Sequence, residues 1–242
     1  MKKGIDVSYA QGNINWQHIK NVGEIEFAII RAGYGKHTSQ KDSQFENNYK
    51  GCKENGIPCG VYWYSYAKTE REAEQEAKAL LEVIKGKQFE LPIYYDVEEK
   101  SQFALGKEKV SAIIRKFLDT VEKAGYWVGL YSSTSILNTH IADDIKTRYA
   151  IWVAHWGVSK PTYKGQYGIW QYGVKKGYGG YNGSIDVDYM YFDYEKAIKE
   201  NGLNGYKVSA SKPNTEKENT ETVKAEITIN GKKYIGELKK EG

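Results

Sequence analysis

From residue 3 to about residue 200, short apolar runs alternate with stretches of helical period, and that alternation leaves very few folds open to the chain. The runs are "KGIDVS" (3–8), "EFAIIRAG" (26–33), "PCGVYWYSY" (58–66), "LPIYYDVE" (91–98), "WVGLYSS" (127–133), "AIWVAHW" (150–156), "GIWQYG" (168–173) and "SIDVDYMYF" (184–192). Several are nearly continuous in apolar residues, as strands are when both faces of a sheet are covered. Helices fill the earlier gaps. Thr69 and Glu72 form a capping-box signature ahead of a face made by Ala73, Ala77, Leu80 and Ile84, and Gly86 stops that helix. The segment from Lys107 to Ala124 repeats the pattern with Val110, Ile113, Phe117 and Val121, and ends at Gly125. Shorter helices are predicted near 15–22, 42–55 and 193–201. After residue 156 the gaps lose the helical period, so the later strands follow one another through loops or hairpins. The pattern predicts an α/β fold: a parallel, irregular TIM-like (β/α) barrel of about eight strands with an incomplete ring of helices.

Composition changes at about residue 207. Residues 1–206 read as the barrel, 207–222 as a flexible linker poor in apolar side chains, and 223–242 as a β-hairpin turning at Asn230-Gly231. A lone hairpin is marginal in water, so it is expected to pack on the barrel, dock on a target or pair with another copy, giving a homo-oligomer.

With 35 basic against 31 acidic residues and no Lys/Arg-rich run, nucleic acid is not an expected partner. The 21 Tyr and 6 Trp suit a surface on which sugars or bases stack. Cys52 and Cys59 are read as free thiols, since no His or further Cys clusters with them to make a zinc site; no metal or cofactor is expected. The N-terminus "MKKGIDVSYA" meets Asp6 before an apolar signal core can form, and no stretch is long enough to cross a bilayer. The expectation is a chain made in the cytoplasm without its own export signal and without membrane insertion.

The chemistry concentrates in "LPIYYDVEEK" (91–100), where an apolar strand runs into Asp96, Glu98 and Glu99. Residues two apart on a strand share a face, roughly 6.6 Å apart. Asp96 and Glu98 are therefore expected to point into the pocket at the carboxyl end of the barrel, with Glu99 turned away. Asp6 ends the first strand, Asp186 lies on the last, and barrel closure brings those strands together. Paired carboxylates cleave glycosidic bonds because one stays protonated to donate to the leaving oxygen while another is ionised opposite the developing positive charge. D-x-E alone is a weak motif: it also describes solvated residues at a strand end, and clustered carboxylates also bind Mg²⁺ or Ca²⁺.

Taken together, "GIDVSYAQGNINW", "IIRAGYG", "NGIPCGVYWYSYA", "LPIYYDVE", "GYWVGLYSS", "YAIWVAHWG", "GIWQYG" and "GSIDVDYMYF" resemble, in order, the glycoside hydrolase family 25 lysozymes, many of them encoded by phages and prophages. The resemblance covers residues 3 to about 195. It implies hydrolysis of the β-1,4 bond between N-acetylmuramic acid and N-acetylglucosamine, with bacterial peptidoglycan as partner. By motif, Glu98 is the proton donor, Asp96 the second catalytic carboxylate, and Asp6 and Asp186 complete the pocket. Asp188 shares a face with Asp186, where the family usually has a less acidic residue, and the choice between the two stays open. Tyr62, Tyr131, Trp152 and Gln171 lie in segments similar to those lining the family's groove and are expected to contact sugar rings and acetamido groups. Tyr94 and Trp127 are expected in the core, and His155 in the groove or in packing. Trp63 stands where the family often has His. The short D-x-E spacing also resembles that of enzymes in which the substrate's acetamido group attacks.

The resulting expectation is a phage or prophage endolysin that waits in the host cytoplasm until a holin opens the membrane. The competing readings are another barrel glycosidase, chitinase-like, and a non-catalytic wall-binding module.

Overall fold

In the computed structural model eight strands close into a barrel in chain order: β1 (Lys2–Val7), β2 (Phe27–Tyr34), β3 (Cys59–Tyr64), β4 (Ile93–Asp96), β5 (Val128–Ser133), β6 (Ala150–Ala154), β7 (Ile169–Lys176) and β8 (Ser184–Met190). The structure describes residues 1–208 and, beyond them, the backbones of 223–229 and 232–238. By their internal contacts, Met1–Ser209 and Ala210–Gly242 form two separate compact units.

The barrel is not parallel throughout. Strands β1 to β7 pair in parallel, whereas β8 is antiparallel to both β7 and β1. A parallel return needs a crossover of about a dozen residues or more, and residues 177–183 are too few. The chain therefore turns straight back. As a result β8 begins where β1 to β7 end, and its first residues share the barrel mouth with their last ones.

Helices α1 (Trp16–Gly23), α2 (Phe45–Glu54), α3 (Glu70–Val83), α4 (Lys100–Phe103), α5 (Lys107–Lys123), α6 (Thr134–Thr139), α7 (Asp143–Arg148) and α8 (Tyr194–Glu200) complete the unit. The sequence pattern does not predict α4, α6 and α7, which span at most six residues and so show too little of a 3.6-residue period. At the start of α3, Thr69 accepts a hydrogen bond from the Glu72 amide at 3.2 Å, as the capping signature requires. Behind β4, the Tyr95 ring stacks on Phe117 of α5 with centroids 3.7 Å apart, and its hydroxyl donates to the buried Glu76 of α3 at 2.6 Å. These contacts fix the strand that carries the acids.

Alternate residues divide the core in two. Ile5, Val61, Tyr95 and Val153 face the helices, while Phe27, Ile29, Tyr94, Tyr131 and Trp152 fill the barrel. Gly4 and Gly129 point inward beneath the Phe27 and Tyr94 rings, which overlap the space a Cβ would need. The filled lower barrel leaves only its upper end open to chemistry. Cys52 and Cys59 are buried free thiols.

In the second unit, β9 (Val223–Ile229) and β10 (Lys232–Leu238) form an antiparallel pair with Ile229 opposite Lys232. The Asn230-Gly231 turn and residues 209–222 of the expected linker lie outside the described residues.

Candidate active site

Four carboxylates meet at the barrel mouth at graded depths. Asp96 is the last residue of β4 and only 4% exposed. Glu98 lies beyond the strand and is exposed, so the two are not neighbours on one strand face as the spacing predicts. The Val97 amide still extends the ladder to the Tyr131 carbonyl (3.1 Å), and the chain then leaves the sheet for α4. Leaving there puts Glu98 on the exposed rim, above the buried Asp96. Glu99 turns aside and accepts the Tyr64 hydroxyl at 2.8 Å. Asp6 and Asp186 lie directly opposite each other on β1 and β8.

Their environments raise their pKa values. Burial, then the charges of Glu98 and Glu99, push the Asp96 carboxyl well above the usual range, with Arg31 acting against them. One of its oxygens, Oδ1, is buried without a hydrogen-bond partner among the described residues. Partial burial of its carboxyl end, with the charges of Asp186 and Glu99, raises Glu98 too, while the Tyr131 hydroxyl opposes the shift. Burial also raises Asp186.

Asp188 sits one layer deeper than Asp186. It is fully buried, accepts the Trp152 indole N–H at 2.8 Å, and its other oxygen finds no donor among the described side chains. That oxygen faces Asp6, and burial pushes Asp188 up to about 8. A proton kept between the two carboxyl groups satisfies both. Between the ordinary carboxylate value near ~3.9 and about 8, the folded chain holds a proton that the unfolded chain has released, so stability falls as pH rises through that window. In Asp188→Asn an amide N–H replaces the shared proton. The variant is expected to be more stable than the parent at pH 8 by roughly 1–3 kcal/mol and to lose less stability on going from pH 4 to pH 8. Thermal melts across that range check this, and identical pH slopes for the two proteins would show Asp188 to be ionised.

The aromatic residues sort by depth. Tyr131 and the half-buried Tyr62 reach the mouth, resting on Trp152 with ring centroids 4.3 Å and 6.0 Å away. Trp152 is 1% exposed and lies beneath the mouth, whereas Gln171, 3% exposed, lines the cavity beside Glu98 with Tyr131. The Gln171 amide ties these residues together. It donates to Asp6 at 2.8 Å and accepts from the Tyr131 hydroxyl at 2.8 Å and the Trp156 indole at 3.0 Å. Tyr94 is buried against Trp152, as expected of a core residue. Trp127 is half-buried at the opposite barrel end, near Phe192 and Tyr194, where a cavity of ≈ 460 Å³ contains none of the four acids. Trp63 is buried on the helix-facing side, donating to the Gly35 carbonyl at 2.8 Å, and takes no part in the mouth. His155 accepts the Thr162 amide at 3.2 Å on the cavity wall.

Two cavities flank the acids. One, of ≈ 480 Å³, is lined by Glu98, Tyr131, Asn138, Trp156 and Gln171 among others. The other, of ≈ 570 Å³, lies at the ends of β1 to β3 around Tyr9, Arg31, Tyr34 and Tyr64. Trp156, 51% exposed, and Arg31 are not among the expected contacts. For Arg31 a signal is visible in the sequence: it is the one charge in the strand "FAIIRAGY".

Comparison with known proteins agrees with this geometry. The family model for glycosyl hydrolases family 25 matches residues 5–181. The autolytic lysozyme of Clostridium acetobutylicum is 30% identical over 188 residues, a match covering 77% of this chain and 55% of that protein. The chain thus spans about half the length of that relative. The crystal structure of the CTP1L endolysin is similar with a TM-score of 0.73 and 28% identity, covering 82% of this chain and 70% of that one. The modular autolysin LytC from Streptococcus pneumoniae, solved with a synthetic peptidoglycan ligand, is similar with a TM-score of 0.68 and 33% identity, covering 78% and 46%. With its barrel and most of its length accounted for in this way, the chain belongs to family 25 of the glycosyl hydrolases.

Proposed function

We propose that the protein is a lysozyme that cleaves the β-1,4 bond between N-acetylmuramic acid and N-acetylglucosamine in peptidoglycan. One observation carries the reading: a rim-exposed carboxyl with a raised pKa, Glu98, stands above a buried one, Asp96, whose Oδ1 has no partner. Glu98 is the group placed to donate a proton to the leaving sugar oxygen. Asp96 is placed below the anomeric carbon, where its free oxygen can accept the N–H of the muramic acid's acetamido group as that group's oxygen attacks. Glu98 then takes a proton from the incoming water, which restores both carboxyl groups and leaves the product in the β configuration. Asp6 and Asp186 hold and polarise the site, and Gln171 and Trp152 support Tyr131 and Tyr62 from beneath.

Digestion of purified peptidoglycan is expected to release fragments with N-acetylmuramic acid at the reducing end, converted to muramitol by borohydride, while chitin stays intact. N-acetylglucosamine at the reducing ends, or release from chitin, would overturn the assignment. The similarity to an endolysin favours a phage or prophage lysis role, in which the protein waits in the host cytoplasm for a holin. Co-expression with a holin is then expected to lyse the host, and expression alone is not.

A further inference from the structure

The cavity at the ends of β1 to β3 contains an arginine that makes no ion pair among the described residues. Arg31 reaches it from β2, half-buried, with its Nε shielded from water and without a hydrogen-bond acceptor. The guanidinium lies 5.1–5.7 Å from the ring centroids of Tyr9, Tyr34 and Tyr64. Such contacts offset part of the cost of removing a charge from water, but they supply no hydrogen-bond acceptor. None of the nearby acids makes a hydrogen bond to the guanidinium among the described residues. Asp42 accepts the amides of Tyr9 (3.0 Å) and Gln44 (2.8 Å), and Glu99 accepts the Tyr64 hydroxyl. Asp96 senses the Arg31 charge, yet its buried Oδ1 is also unpartnered. Lys41, on the same cavity, pairs with Glu46. A guanidinium without an ion pair among the described residues thus lines an aromatic-walled space, and such a group can bind a planar carboxylate.

Peptidoglycan supplies carboxylates of that kind. In the reading above, the acetamido group of the muramic acid meets Asp96, whose carboxyl senses the Arg31 charge. The next ring carbon carries the lactyl ether, so that substituent departs within one ring carbon of the group at Asp96. We propose that Arg31 binds a carboxylate of that substituent and makes the enzyme selective for anionic muramic acid units. This rests on the lysozyme reading above. Two sources share the chemistry: the α-carboxylate of D-isoglutamate in the peptide stem, and the lactyl carboxylate itself where no peptide is attached.

The test uses soluble glycan oligomers in three forms: carrying L-alanyl-D-isoglutamate or its isoglutamine amide, both with the γ-carboxyl blocked as an amide, or carrying no peptide. For the parent protein, kcat/KM is expected to be about tenfold higher on one or both free carboxylates than on the amide, as one charge-assisted contact provides. The preferred carboxylate identifies the source. In Arg31→Gln that ratio is expected to fall toward one through a rise in KM on the anionic substrate, and Arg31→Lys is expected to restore part of it. Equal cutting of all three forms by the parent would overturn the proposal while leaving the lysozyme reading intact. So would an Arg31→Gln loss of the same factor on every form, which would make Arg31 a positioning residue for Asp96. No cutting of any form would remove both readings.

Discussion

Glu98→Gln is expected to lower the rate of wall hydrolysis by about 10²–10⁴-fold while leaving the melting temperature almost unchanged. The substitution keeps the side chain's size and hydrogen-bonding ability and removes only the transferable proton. Because Glu98 is exposed beyond the end of β4, the core does not depend on it. Asp6→Asn is expected to cost less activity, since the Gln171 contact at 2.8 Å marks Asp6 as a holding group. Turbidity loss of a cell suspension, with a melt on the same preparations, checks both. Near-parental lysis by Glu98→Gln would mean that another carboxyl donates the proton, and an equal or greater loss in Asp6→Asn would promote Asp6 to a catalytic role.

Walls whose muramic acid has lost its acetyl group are expected to be cut at least about a hundredfold more slowly while still binding. An intramolecular acetamido oxygen held at the anomeric carbon replaces a bimolecular encounter with an effectively unimolecular step. Without the acetyl group that nucleophile is gone, and Asp96 Oδ1 loses the N–H it is placed to receive. The same route retains configuration, so proton NMR in the first minutes should show the β product before mutarotation. An α product would exclude the route and assign Asp96 as the base for a single displacement by water.

Much of this was legible in the amino-acid order. Apolar runs separated by 3.6-residue patterns determine eight strands and the longer helices, because burial of alternate faces is a local property of side-chain sequence. The positions of Asp6 and Asp96 at the ends of their strands follow from the same reading, and the ordered motifs were enough to suggest the family.

Tertiary closure decided the rest. The direction of β8 depends on how far 177–183 can reach, and it alone places the start of that strand at the mouth, with Asp186 opposite Asp6. The departure of the chain from the sheet after Val97 leaves Asp96 buried and Glu98 exposed, a difference of environment that their spacing does not give. Trp152, Gln171 and Tyr131 share a contact pattern in sequence, but closure of the barrel buries all three and leaves Tyr131 and Gln171, not Trp152, on the wall of the mouth cavity. The carboxyl pair of Asp6 and Asp188 and the unpaired guanidinium of Arg31 are likewise invisible along the chain. Sequence names the charges, but only the folded barrel determines which of them meet, which lose water, and which are left for a substrate to complete.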